Sequence, residues 1–435
     1  MRTIARLGLA LGILFLAAAS AGCRDKDSTS NAAPAVGAAS GGASVAAKAS
    51  TSANTAGPAA DAPLPKLTAT SAGIALGNLD AQIDSLQKQP PDPAVRRGLI
   101  DVLLSRGQLL GKIADYERAA TLAEQLVKDL PKDPESFLTR AATLSTFHRF
   151  DAALADLAKA EELGARRDKV ASSRAAIFEA TGRYDEALAL MRHDEGAMTP
   201  TELASAGVLA GEMGKLGEAN RLIDAGREKY PDVSPFPLAW MDAQQASLLE
   251  RRGDLLAARS HYVRATTLLP PFARAAAHLA ALANPDEAVA MLTPLLKTSD
   301  DPEVEVQLAE ALGRLDRKDE AKQHLDNAIA RYDALLAKHP EAFADHAAVM
   351  WLGPGKNPAR ALPLAKTNAQ VRRTSESLEL WLSAARAAHD EGEACAAARA
   401  ASSFAYPTDG LRTMATSIVA RCPVAAASAS ASTKP

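Results

Sequence analysis

The chain has 435 residues with 49 basic and 52 acidic side chains, a formal charge of −3. No basic stripe is visible along it, so nucleic acid is not an expected partner. Length alone allows two or three globular domains, but only 4% of the residues are aromatic, which favours closely packed helices rich in small residues over a bulky core.

The first element is an export signal over residues 1–22. Two arginines precede an apolar run over 7–21, which is too short to span a membrane comfortably. The run ends in a sequence that resembles a bacterial lipobox, Ser20-Ala21-Gly22-Cys23. The resemblance implies that Cys23 is acylated. Ser20 stands where the lipobox prefers Leu, which leaves ordinary signal cleavage open.

A flexible tether is predicted next, over residues 23–66. Between 31 and 62 it consists almost wholly of Ala, Ser, Gly, Thr and Pro, a composition that cannot bury enough apolar surface to fold. A random coil of this length has a mean reach of roughly 35 Å. If Cys23 is acylated, the tether holds the following domain near a membrane. The last residues, 423–435, are predicted to be a second tail of this kind.

A leading helix is predicted within residues 67–92. Its apolar side chains recur at roughly helical spacing over residues 74–89. The pair Pro90-Pro91 ends it, and Asp92-Pro93 begins the next helix with a capping residue and a first-turn proline.

A regular repeat then begins. An aromatic residue stands three positions before an alanine at Ala119, Ala153 and Ala187. The same alanine position continues, with less regular gaps, at Ala219, Ala258, Ala288, Ala321, Ala361 and Ala397. Twelve positions before each of these alanines lies a residue at which paired helices are expected to touch. All but one of the repeats carry Gly or Ala there. A period of about 34 residues with this pattern resembles the tetratricopeptide repeat (TPR) family.

The resemblance implies an all-α, right-handed superhelical solenoid of about nine helical hairpins. Residues 93–231 are predicted as regular repeats. Residues 232–422 are predicted as degenerate repeats followed by a closing helix. Gly182, Gly214 and Gly253 fall in the tight turns within hairpins, where a positive φ is often needed.

In the TPR family the first helix of each hairpin lines a concave surface that binds partner peptides or helices. By position, the resemblance places eight groove candidates in repeats two and three: Glu135, Leu138, Ala142, Ser145, Lys169, Ser172, Ala176 and Glu179. The alternative is that these are merely solvent-facing residues of a spacer.

No catalytic or cofactor chemistry is predicted. The eight histidines are scattered and are interpreted as solvated surface residues, without the spacing typical of metal ligands. No Gly-x-Ser-x-Gly motif supports acyl transfer. The chain is therefore not expected to be an enzyme, and neither a cofactor nor a metal is expected.

Cys395 and Cys422 are the two thiols left if Cys23 carries a lipid. Export would deliver them to an oxidising compartment, where paired cysteines are favoured. Cys395 begins the second helix of the last predicted hairpin, and Cys422 ends the closing helix. We therefore predict a disulfide between them; two unpaired buried thiols are the alternative.

Together these features predict a non-catalytic interaction scaffold of the bacterial cell envelope. Its expected partners are other envelope proteins and, through the lipid, a membrane. Arg24 follows Cys23 where an inner-membrane lipoprotein of the enteric type has Asp, so the outer membrane is expected. The alternative is an accessory subunit of an envelope enzyme or of a secretion, pilus or polysaccharide-export complex. The sequence leaves the oligomeric state and the membrane leaflet open.

Overall fold

The computed structural model describes residues 67–191 and 194–423. The predicted signal peptide, the tether, Cys23 and nearly all of the C-terminal tail lie outside these residues. Their interpretation therefore stays a prediction.

Twenty α-helices and one short 3-10 helix follow one another in this part of the chain, which contains no β-strand. The helices are α1 Ala72–Lys88, α2 Pro93–Leu110, α3 Ile113–Asp129, α4 Pro134–Thr146, α5 Phe150–Glu162, α6 Arg167–Ala180, α7 Tyr184–Leu190, α8 Pro200–Glu212, α9 Leu216–Glu228, α10 Pro235–Arg251, α11 Leu255–Leu268, α12 Ala273–Leu282, α13 Pro285–Leu292, the 3-10 helix Thr293–Lys297, α14 Pro302–Arg314, α15 Lys318–Lys338, α16 Pro340–Leu352, α17 Pro358–Val371, α18 Ser375–Ala387, α19 Glu391–Ser402 and α20 Asp409–Val419.

These helices pack as successive pairs. The helix α1 leads, nine hairpins run from α2/α3 to α18/α19, and α20 closes the array. The predicted all-α helical-repeat solenoid is therefore confirmed as the fold, and so is the resemblance to TPR proteins at the level of fold. None of the helices in the described residues is long and apolar enough to cross a membrane.

The small residues lie where the helices of a hairpin touch. Eight of the nine repeat alanines have no solvent exposure, and Ala321 is half-buried. A Cβ placed on Gly207 would lie 2.8 Å from the carbonyl oxygen of Ala219, its partner twelve positions on. Larger side chains at these positions would force the two helices of a hairpin apart.

The solenoid also contacts itself over long stretches of sequence. The carboxylate of Asp300, just before α14, accepts hydrogen bonds from the backbone of α3, including that of Ile113, 187 residues away. The ring Nδ1 of His148, after α4, lies 3.1 Å from the carbonyl oxygen of Glu341 in α16. Loops of the first two repeats therefore meet elements that lie about six repeats later, and the inner face of the superhelix becomes an interior.

A third contact of this kind joins the turn between α6 and α7 to the segment before α18. The backbone N–H of Arg373 donates to the carbonyl of Thr181 at 3.3 Å. The neighbouring Gly182 has φ +77°, and a Cβ built on it would lie 1.9 Å from the carbonyl oxygen of Arg373. Glycine is needed here both for the left-handed backbone and for the close approach.

The helix α10 lies at the centre of the closed superhelix. Fourteen of its 17 residues are buried, on all its faces. Among them is Asp242, whose carboxylate has no solvent exposure and accepts hydrogen bonds from Arg227 and Arg264.

The C-terminal end of the solenoid is joined by a disulfide between Cys395 in α19 and Cys422 just after α20. Their Cα atoms are 5.7 Å apart, within the usual range for a disulfide. The bond fastens α20, which has no further repeat beside it in the described chain, to the last hairpin.

Candidate functional site

A row of charged side chains crosses the first helices of repeats one to three. We call Arg97, Asp101, Glu135 and Lys169 the charged strip; they lie on α2, α4 and α6. Lys169 Nζ is 2.9 Å from a carboxylate oxygen of Glu135, and their side chains are 47% and 36% exposed. Arg97 pairs at 3.1 Å with Asp133, the N-cap of α4. The strip is therefore reachable from solvent and holds its shape by its own ion pairs.

Asp101 is the member of the charged strip that has no ion-pair partner among the described residues. Within the described residues its carboxylate has no hydrogen bond or ion pair, and it is half-buried. Burial raises the pKa of Asp101 to about 6, although the nearby charges of Arg97 and Lys169 oppose the rise. A carboxylate in this state gains from a new donor, because an added hydrogen bond or cation would replace the water it has lost.

Four of the eight groove candidates lie at least partly at the surface. Glu135 is half-buried and Lys169 and Ser172 are exposed; all three are in the N-terminal halves of α4 and α6, and Ala176 farther along α6 is half-buried. These four positions therefore lie at least partly at the surface, and their role in binding stays a prediction.

The other four candidates are buried, and the prediction that they line an accessible groove is wrong for this conformation. Leu138 and Ala142 belong to the apolar cores between repeats. Ser145 is 3% and Glu179 7% exposed. Leu138 and Ala142 are therefore buried by packing between adjacent repeats. Ser145 and Glu179 are buried by the self-contact of the solenoid, since α16 and the segment before α18 cover the C-terminal ends of α4 and α6.

Glu179 has an unusual environment for a carboxyl group. Burial raises its pKa to about 8, and the neighbouring carboxylate of Glu212 adds to this shift, while Arg251 and Arg372 oppose it. At neutral pH the buried group is therefore largely protonated and uncharged.

The inner face of the superhelix encloses a cavity of about 110 Å³, which we call the central cavity. Its walls come mainly from the first helices of repeats in both halves of the chain, namely α2, α4, α10, α12, α14 and α16, with further residues from second helices such as α3 and α11. The side chains with hydrogen-bonding groups on these walls are Gln108, Tyr116, Ser145, Thr146, His148, Gln244, Ser247, Tyr262, Arg274, Asp301, Glu303 and His346.

Four histidines lie inside the fold, so their interpretation as solvated surface residues is wrong. His148, His261 and His278 are each at most 9% exposed, and the side chain of His346 is 9% exposed. Burial alone would lower the pKa of His346, but the surrounding carboxylates raise it to about 9, and the ring lies 3.6 Å from Glu303. Burial dominates at His148 and lowers its pKa to about 4. At neutral pH the cavity is therefore lined by one charged and one neutral imidazole.

No group of three or more His, Cys, Asp or Glu side chains in residues 67–191 and 194–423 is arranged to hold a metal ion. Of the polar cavity residues, the sequence interpretation proposed only Ser145 as a binding residue, and it placed Ser145 in an open groove. The repeat pattern reflects contacts between neighbouring helices and does not reveal contacts across the cavity. The nearest signal in the sequence was the presence of polar residues, such as Ser247, among the apolar residues of α10.

No family model matches the chain, and no curated protein does. Among solved structures it is similar to a chain of the APC/C hetero-tetramer Cut9–Hcn1, with 15% identity, a TM-score of 0.44, and 78% of this chain and 67% of that chain covered. It is similar to human IFIT1, solved as a dimer with PPP-AAAA, with 13% identity, a TM-score of 0.39 and coverage of 81% and 86%. It is also similar to yeast Tom70, with 14% identity, a TM-score of 0.32 and coverage of 80% and 93%.

Proposed function

We propose that this chain is a non-catalytic scaffold of the bacterial cell envelope that binds a segment of a partner protein on the charged strip. The observation that carries the proposal is Asp101, a half-buried carboxylate that has no partner in the described chain and lies beside a solvent-accessible ion pair. Helical-repeat solenoids present rows of such side chains across several repeats, which suits extended recognition surfaces.

The size of the strip sets the size of the partner segment. Adjacent packed helices lie about 10 Å apart, so the strip from α2 to α6 measures roughly 20 Å. An extended chain advances about 3.3 Å per residue, and the strip therefore accommodates roughly six residues. Two acids, Asp101 and Glu135, stand beside two cations, and one of the acids is unpaired. We expect a basic side chain of the partner to form an ion pair with the carboxylate of Asp101.

The location in the envelope is supported by two independent features. The sequence of residues 1–22 and Cys23 resembles a lipoprotein signal. The disulfide between Cys395 and Cys422 suits an exported protein, because structural disulfides persist in oxidising compartments and are rare in the cytosol. We propose that acylated Cys23 anchors the chain in the outer membrane, with the tether leading to the solenoid.

The binding proposal is tested with the purified chain from residue 24, which keeps the tether, as bait for solubilised envelope proteins. Asp101→Asn keeps the shape of the side chain and removes its charge. A charge-assisted hydrogen bond contributes about 1.5–3 kcal/mol, so the affinity of a captured partner should fall by roughly tenfold or more.

Asp319→Asn is the matched control, because Asp319 is an exposed acid of α15 outside the strip. A partner whose affinity is the same for wild type, Asp101→Asn and Asp319→Asn does not use the strip, and that result would overturn the proposal. The anchor is tested separately by fractionation: a Cys23→Ser chain that stays with the outer membrane would contradict acylation as the means of attachment.

A further inference from the structure

The walls of the central cavity carry hydrogen-bond donors that have nothing to bind. The hydroxyls of Ser145 and Ser247 are buried, with the residues 3% and 7% exposed, and neither has a hydrogen-bond partner. The guanidinium of Arg274, on the same cavity, makes no hydrogen bond or ion pair with any residue in the described part of the chain. Buried polar groups are normally satisfied, so the two hydroxyls point to an absent acceptor. Arg274 is half-buried and adds a cation without an ion-pair partner in the described residues to the same cavity.

The acids of the cavity, in contrast, are already engaged. A carboxylate oxygen of Asp301 accepts the backbone N–H of Glu303 at 2.9 Å, as the cap of α14. Glu303 pairs with His346 at 3.6 Å. The two acids and the two cations on the walls balance in charge. An incoming anion therefore meets no net repulsion. The cavity groups that lack a partner in the described residues are hydrogen-bond donors.

The size and the apolar walls of the cavity limit the ligand. A water-sized atom needs about 10–15 Å³ of such space, so the cavity of about 110 Å³ holds roughly seven to ten non-hydrogen atoms. Aromatic rings contribute much of the remaining wall: Trp240, Tyr262, Phe272 and Phe343. A bare inorganic anion would leave these rings without contacts.

We propose that the central cavity binds a small monocarboxylate with an apolar body of up to roughly ten non-hydrogen atoms. Arg274 holds the carboxylate through charge-assisted hydrogen bonds, which a planar guanidinium makes in bidentate form. Ser145 and Ser247 donate to the oxygens, and the aromatic rings enclose the body. Because the walls come from both halves of the solenoid, the bound molecule stabilises the closed superhelix.

The test uses benzoate, which has nine non-hydrogen atoms, and benzamide, its uncharged counterpart of the same size. Calorimetry and thermal unfolding of the purified chain should show that benzoate binds and raises the Tm, and that benzamide binds at least tenfold more weakly. Arg274→Gln should weaken benzoate binding at least tenfold. Arg259→Gln, which changes an exposed arginine of α11, should leave it unchanged.

Ser247→Ala is the second variant, because it removes only an unpartnered hydroxyl and leaves the packing of α10 intact. It should weaken benzoate binding several-fold while the Tm of the unliganded chain stays the same or rises. Equal binding of benzoate and benzamide, unchanged binding by Arg274→Gln, or no binding of benzoate at about 10 mM, ten times a weak millimolar Kd, would each overturn the proposal.

Discussion

Gly182→Ala should loosen the closed superhelix, because Gly182 lies where the third and the last repeats meet. The added Cβ would stand 1.9 Å from the carbonyl oxygen of Arg373, far inside van der Waals contact. The two loops would have to separate by more than an ångström, which would stretch the 3.3 Å hydrogen bond between Arg373 and Thr181. The opposing atom belongs to the backbone and cannot turn away.

Gly253→Ala provides the matched control. Gly253 occupies the equivalent turn between α10 and α11 with φ +83°, and nothing lies within 4 Å of its added Cβ. Both variants incur the left-handed strain of a non-glycine residue, about 1–2 kcal/mol. Overpacking adds typically 1–3 kcal/mol, and only Gly182→Ala incurs it. We therefore expect Gly182→Ala to lower the free energy of unfolding by about 1–3 kcal/mol more than Gly253→Ala.

The measurement is urea unfolding together with amide hydrogen exchange. Repeat arrays can unfold in parts, so exchange gives the local result that a single midpoint does not. Gly182→Ala should raise exchange at Arg373, whose N–H bonds across the contact, whereas Gly253→Ala should leave it unchanged. Equal destabilisation by the two variants, with Arg373 equally protected in both, would refute the closure of the superhelix.

Three further predictions follow from the described contacts. Replacing Cys395 and Cys422 by Ser removes a link across 27 residues and should lower the free energy of unfolding by about 3.5 kcal/mol in the chain-entropy model; limited proteolysis that is no faster at the C-terminal end would contradict this. Glu179 has an ordinary pKa near 4.5 in the unfolded chain and about 8 when folded, so its stabilising effect is complete below pH 4.5 and is lost as the pH rises to about 8. Glu179→Gln should reduce this fall in urea titrations between those pH values, and an unchanged dependence of stability on pH would contradict a raised pKa of Glu179. Reversing Glu135 or Lys169 alone should weaken partner binding while stability changes by less than about 1 kcal/mol, because the pair is exposed; unaltered binding by both reversals would count against the strip.

The local architecture could be predicted from the sequence alone. The recurrence of alanine at Ala119, Ala153 and Ala187 predicted the hairpins, and the helix predicted to begin at Asp92-Pro93 is α2, Pro93–Leu110. Gly182 and its two equivalents have the positive φ that was expected. These features follow from contacts within one repeat or between adjacent ones, and a pattern that recurs from one repeat to the next records such contacts directly.

The burial of the inner face, in contrast, could be seen only in the folded chain. The position of Asp300 opposite α3 depends on the superhelical pitch, which is the sum of small rotations over about six repeats. Because the repeat spacing is irregular after Ala187, the total rotation cannot be predicted from any local sequence pattern. The same closure buried Glu179 and His346, which the sequence placed at the surface, and it left Asp101 and Lys169 within reach of solvent. Burial at the axis of a solenoid is a property of the whole coil, and for that reason it appeared only once all the repeats were stacked.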